Sequence, residues 1–116
     1  MTIHLYGIPN CDSVRKACDW LAGHGVAFTF HDFRKEGVHA GWLAQWSTAL
    51  GWETLLNRRS TTWKQLPESD RENVDAPHAI ALMLNHPTLI KRPVLECRGR
   101  LLVGFCPDSY TGLLTA

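Results

Sequence analysis

The chain has 116 residues, a formal net charge of +1, 45% hydrophobic and 20% charged residues. That is room for one domain around one core, in ordinary globular proportions. Balanced charge excludes strong non-specific attraction to nucleic acid, and the longest apolar run, Ala79 to Leu84, is far short of the ~20 residues that cross a bilayer.

Thr2 to Tyr6 alternates around Ile3 and Leu5 and runs into Gly7-Ile8-Pro9-Asn10, which predicts a short strand and a tight loop. From Cys11 the period changes. Val14, Ala17, Cys18 and Leu21 recur at helical steps, and Gly23 and Gly25 end the helix they predict. Val26 to Phe33 predicts the next strand, giving a β-loop-α-β opening with a right-handed crossover. Trp42, Leu43, Trp46, Ala49 and Leu50 make a helical stripe that stops at Gly51. Asn57 to Thr62 reads as a loop and Leu66 to Val74 as a short helix or turn. Pro77 to Asn85 reads as a helix with Ile80, Ala81 and Leu84 toward the core, broken by His86-Pro87. Val94 to Cys97 and Leu101 to Val103 flank Arg98-Gly99-Arg100, the pattern of an antiparallel hairpin. Pro107 opens a closing helix over Asp108 to Leu114. The order β-α-β, helical block, β-β-α predicts one α/β domain over residues 1–116. Its plan is a thioredoxin-like fold with a mixed central sheet and a helical insertion at about 38–88.

Four cysteines, Cys11, Cys18, Cys97 and Cys106, are too few and the chain too long for a disulfide-stapled scaffold. Residues 1–11 lack the basic start and apolar stretch of a secretory signal. Reduced thiols in the cytoplasm are the expectation. The six histidines show no metal-ligand spacing with one another or with the cysteines, so no metal is predicted. Cys11 stands at a loop–helix junction after a strand, where free N–H groups and the helix dipole favour a thiolate. Arg15 and Lys16 add positive charge nearby, and Asp12 opposes it. Cys18 lies on the apolar stripe, roughly 10 Å along the helix from Cys11, beyond disulfide reach. Cys97 in its strand and Cys106 read as packing residues, although the helix start beside Cys106 can activate a thiol. Val14 occupies the place where a Cys-x-x-Cys motif has its second thiol, so a mixed disulfide on Cys11 needs an outside thiol or a distant one to resolve it, with a small thiol such as glutathione the economical candidate. Arg58-Arg59 and Lys91-Arg92-Pro93 are the candidate anion-binding groups.

Leu5-Tyr6-Gly7-Ile8-Pro9-Asn10-Cys11-Asp12-Ser13 resembles the active-site loop of the arsenate reductase/Spx family, and especially its small YffB-type branch. Leu50-Gly51-Trp52-Glu53, Leu55-Leu56-Asn57, Arg59-Ser60-Thr61-Thr62-Trp63, Ile90-Lys91-Arg92-Pro93, Gly104-Phe105 and Asp108-Ser109-Tyr110 agree with that branch, so the resemblance spans the chain in order.

The resemblance implies Cys11 as nucleophile and Asn10, Arg59, Arg92, Pro93 and Asp108 as substrate- or glutathione-binding residues. Pro93 is expected to follow a cis bond and to bring its strand start beside Cys11. The backbone at Arg92 would then pair with a glutathione cysteinyl group, and Asp108 would receive the α-ammonium. Arsenate reductases of this type surround the nucleophile with three arginines. Here Arg92 matches one, Asn57 with Arg58 and Arg59 just beyond stands near the second, and Cys106 takes the third position. The expectation is a glutathione-dependent monothiol thiol-disulfide reductase with no bound cofactor. Its partners would be glutathione and a disulfide or oxidised substrate, with neither nucleic acid nor membrane engaged directly. Glutathione-coupled arsenate reduction and a non-enzymatic, Spx-like protein-binding adaptor are the readings set against it.

Overall fold

The computed structural model describes residues 3–115. Two compact units emerge, one made of residues 1–37 with 92–116 and the other of residues 38–91.

The first unit holds a four-stranded sheet in the order β2-β1-β3-β4. Its strands are β1 (Ile3–Gly7), β2 (Thr29–Asp32), β3 (Val94–Cys97) and β4 (Arg100–Val103). The predicted strand start at Thr2 lies outside the described residues. β1 pairs parallel with β2 and antiparallel with β3, and β3 pairs antiparallel with β4. This is the mixed sheet of a thioredoxin-like fold. Helices α1 (Asp12–Gly23) and α8 (Pro107–Thr115) complete the packing. Ile3 and Leu5 of β1, Ala17 and Leu21 of α1, Leu95 and Cys97 of β3, and Tyr110 and Leu113 of α8 form one buried cluster. Alternation along β1 therefore puts Ile3 and Leu5 on the face that these helices cover, and His4 and Tyr6 on the other.

β2 is shorter than the predicted Val26–Phe33 run at both ends. The Val26 N–H bonds back to the Leu21 carbonyl at 2.9 Å, so this stretch closes the end of α1 before pairing begins. At the far end the Asp32 carboxylate accepts the Arg34 N–H at 2.8 Å and caps the short helix α2 (Phe33–Glu36), which takes Phe33 out of the strand. The hairpin turn is tighter than predicted. Arg98 and Gly99 both have positive φ, 54° and 77°, the two-residue turn that matches strand twist, and Arg100 already belongs to β4.

The second unit is helical: α3 (Ala40–Leu50), α4 (Trp52–Leu55), α5 (Thr61–Gln65), α6 (Glu68–Arg71) and α7 (Ala76–Asn85), then a 3-10 turn over Pro87–Leu89. α3 packs on α7. Gly51 ends α3 as predicted, with φ of 88°, but the chain re-enters a helix at once. Ser60 caps α5 by accepting the Trp63 N–H at 3.1 Å, which makes Thr61 and Thr62 helical where a loop was predicted. The buried face of α7 is Ala79, Leu82 and Met83, correcting the predicted Ile80, Ala81 and Leu84. That helix is apolar nearly all round, so its sequence lacks the contrast that marks a face. No helix among the described residues is long and apolar enough to cross a membrane.

Candidate functional site at the first strand–helix junction

The loop after β1 turns tightly, with the Cys11 N–H bonded to the Ile8 carbonyl at 3.2 Å and the Arg15 N–H to the Cys11 carbonyl at 2.9 Å. Cys11 is the N-cap of α1 and has extended backbone angles. A close approach between loop and helix sets this geometry. A Cβ on Gly7 would lie 2.6 Å from Val14 Cγ2, so only glycine lets β1 end against the helix. Val14 is correspondingly buried.

The thiol is half-buried, and burial pushes it up, yet its net shift is downward. The Val14 N–H, the Arg92 side chain and the Ser13 N–H outweigh burial. The Cys11 side chain closes no capping hydrogen bond on α1, and donors at this position favour the charged form of the thiol. Arg92, just before β3, donates to the sulfur and adds its charge. The Arg92–Pro93 peptide bond is cis, and the Pro93 carbonyl accepts the Gly104 N–H at 2.8 Å.

Arg15, expected to add positive charge, is exposed and paired with Asp12 at 2.6 Å. Arg92 is the cation that shifts the thiol instead. Asn10 is exposed in the turn and Asp108 exposed in the first turn of α8. Arg59 belongs to the second unit, is exposed, and donates its N–H to Asn57 Oδ1 at 3.1 Å. Its neighbour Arg58 holds its guanidinium 5.7 Å and 5.9 Å from the Trp52 and Trp63 rings, a packing use that sequence reading did not foresee.

The other three thiols differ sharply. Cys97 is fully buried. Cys18 is half-buried, more open than its place on the apolar stripe predicted, and burial and Asp19 push its thiol up. Cys106 is exposed, a correction to its reading as a packing residue. The Ser109 N–H and hydroxyl and the Asp108 N–H lower its thiol. Among the described residues, no group of three or more His, Cys, Asp or Glu side chains is placed to hold a metal ion.

Sequence reading missed two contributors: the Val14 and Ser13 N–H groups as named donors, and a histidine pair described below. The donors follow from the N-cap position itself, but the histidine pair required the β1–β2 register.

A thioredoxin-like sheet, with one thiol at its first strand–helix junction and an arginine before a cis proline donating to that thiol, defines a class of thioredoxin-fold proteins. The chain belongs to the ArsC family, which matches over residues 6–113. It is 48% identical to a YffB protein of known structure, with a TM-score of 0.95, covering 97% of this chain and 99% of that one. It is 43% identical over 108 residues to an uncharacterized protein of Haemophilus influenzae, covering 93% of this chain and 95% of that protein. It is also 30% identical over 114 residues to the global transcriptional regulator Spx of Streptococcus agalactiae, covering 97% of this chain and 82% of that protein.

Proposed function

We propose that the protein is a glutathione-dependent monothiol reductase in which the Cys11 thiolate is the nucleophile. The observation that carries this reading is the place of Cys11 at the N-cap of α1, where the helix N–H groups and Arg92 hold its thiol below the ordinary value. A thiolate, not a thiol, attacks disulfides.

The chemistry balances with glutathione alone. Cys11 sulfur attacks the glutathione sulfur of a mixed disulfide, the substrate thiolate leaves, and a Cys11–glutathione disulfide forms. A second glutathione thiolate attacks the glutathione sulfur of that adduct, oxidised glutathione forms, and Cys11 leaves as thiolate. Arg92 stabilises the Cys11 thiolate in both steps, as attacking group and as leaving group. An outside thiol is needed because position 14 carries a buried valine packed against Gly7. The strand start at Arg92 and Pro93 supplies backbone groups for the cysteinyl moiety, Asn10 flanks the nucleophile, and Asp108 offers a carboxylate to the α-ammonium. Turnover of a glutathionylated peptide, coupled to reduction of oxidised glutathione, tests the reading. Wild type turns over and Cys11→Ser does not; equal turnover by both would refute it.

A second reading is favoured by the 30% identity to an Spx regulator: a protein-binding adaptor in which Cys11 is dispensable. A deletion phenotype rescued by Cys11→Ser supports it and counts against both glutathione-dependent and arsenate-reducing chemistry.

A further inference from the structure

The sheet face opposite the Ile3–Leu5 core carries a row of titratable groups. His4 and Tyr6 project from it on β1, His31 of β2 stands in register with Tyr6, and Glu96 of β3 stands opposite His4. His4 Nδ1 lies 2.8 Å from His31 Nε2, and His31 Nδ1 lies 3.0 Å from Glu36 Oε1. The second Glu36 oxygen accepts the Asp32 N–H at 3.1 Å. The Tyr6 ring stacks on His31 with centroids 4.6 Å apart.

Two imidazole nitrogens at 2.8 Å need one hydrogen between them, neither none nor two. The Glu36 carboxylate only accepts, so His31 Nδ1 carries a hydrogen. In the neutral pair His31 Nε2 is then bare and His4 Nδ1 donates to it, which places both ring hydrogens on Nδ1. One added proton is accommodated without loss. His31 becomes an imidazolium that donates to Glu36 on one side and to His4 Nδ1 on the other, while His4 holds its hydrogen on Nε2. A second added proton puts hydrogens on both facing nitrogens and positive charge on two rings whose centroids are 5.0 Å apart. The contact cannot persist in that state.

We propose that His4, His31 and Glu36 form a proton-gated clasp that ties β2 and α2 to β1, closed with up to one added proton and opened by the second. Each link has a structural duty. Among the described residues, β2 is a four-residue edge strand whose only sheet neighbour is β1. Glu36 joins His31 to the backbone of Asp32, and Asp32 caps α2. Tyr6 from β1, Glu96 from β3 and Glu36 from α2 face the pair. Both carboxylates act on the Tyr6 hydroxyl. Arg34 and Lys35 of α2 are exposed.

Nitrogen NMR of the histidine rings in the whole chain tests this directly. Before any proton is added both rings carry hydrogen on Nδ1, and a nitrogen–nitrogen coupling crosses from His4 to His31. On acidification the coupling vanishes as the second ring becomes imidazolium. The exchange protection of the Asp32 amide, corrected for intrinsic rate, then falls by at least about tenfold, the weight of one hydrogen bond to a charged group. His4→Gln keeps an amide that can either donate or accept, so its Asp32 amide stays protected in acid. Neutral rings protonated on Nε2, without coupling, would overturn the proposal. So would unchanged Asp32 protection once both rings are charged, or acid-induced loss of protection in His4→Gln.

Discussion

The Arg92 side chain acts on the Cys11 thiol through its N–H groups and its charge, linking the segment before β3 to the cap of α1. The strand pairing makes this meeting possible. Tyr6 at the end of β1 stands opposite Val94 at the start of β3, so the loop after one strand and the segment before the other reach the same end of the sheet.

Arg92→Ala removes both a hydrogen bond and a charge from the thiolate, so the Cys11 thiol rises. The pH midpoint of Cys11 alkylation, followed by peptide mass spectrometry, moves upward in this variant, and Arg92→Lys falls between it and wild type. The same lowered thiol links to stability with a definite sign. Above the folded value the native state has released a proton that the unfolded state still holds, so stability rises with pH until the unfolded thiol also ionises. Compared with Cys11→Ser, wild type therefore gains stability in that window and loses the advantage as pH falls through the folded value.

The four thiols should sort into two classes under brief alkylation near neutral pH. Cys11 and Cys106, both lowered, react first. Cys18 is half-buried with a raised thiol and reacts slowly, and Cys97 is fully buried and is modified only after unfolding. Timed labelling followed by digestion reads all four at once, and native labelling of Cys97 at the rate of Cys106 contradicts the assignment.

Gly7→Ala should destabilise the protein by about 1–3 kcal/mol, because the new methyl meets Val14 within a packed core. In denaturant titrations the midpoint falls with the slope unchanged. Adding Val14→Ala makes room, so the double variant loses less stability than the sum of the two single losses.

Neither tyrosine of the chain should ionise near the ordinary value of 10.0 in the native state. Burial first, then Glu96 and Glu36, push Tyr6 up to about 12. Burial and Cys18 push Tyr110 higher still. Since the unfolded chain gives up these protons first, stability is intact below the ordinary value and is lost as pH rises through the folded one. Ultraviolet titration shows one late, cooperative phenolate transition that coincides with alkaline unfolding, and Tyr6→Phe retains more of its stability through that range.

The legible parts of the sequence were those where local pattern and tertiary demand agree. The β1 alternation, the Val14–Ala17–Leu21 stripe, the β3–β4 hairpin and the proline-led α8 all carry their own signals, and the capping position of Cys11 is written in the change of period. The rest needed partners distant in sequence. The capping of α2 by Asp32 shortened β2, and the helical face of α7 had no polar side to reveal it. Arg15 and Lys16 looked nearest to Cys11 in sequence, but Asp12 takes Arg15 and the cation that matters arrives from residue 92. The His4–His31 contact spans 27 residues and exists only through the β1–β2 register, which no spacing rule for histidines captures.

The most direct measurement treats the reduced protein with a glutathione mixed disulfide and follows each cysteine by peptide mass spectrometry. Reduced glutathione is then added. The expected result is a glutathione adduct on Cys11 that forms first and is discharged by reduced glutathione at the rate of turnover. An unmodified Cys11 while Cys106 carries the adduct, or a Cys11 adduct that reduced glutathione leaves in place, would contradict it.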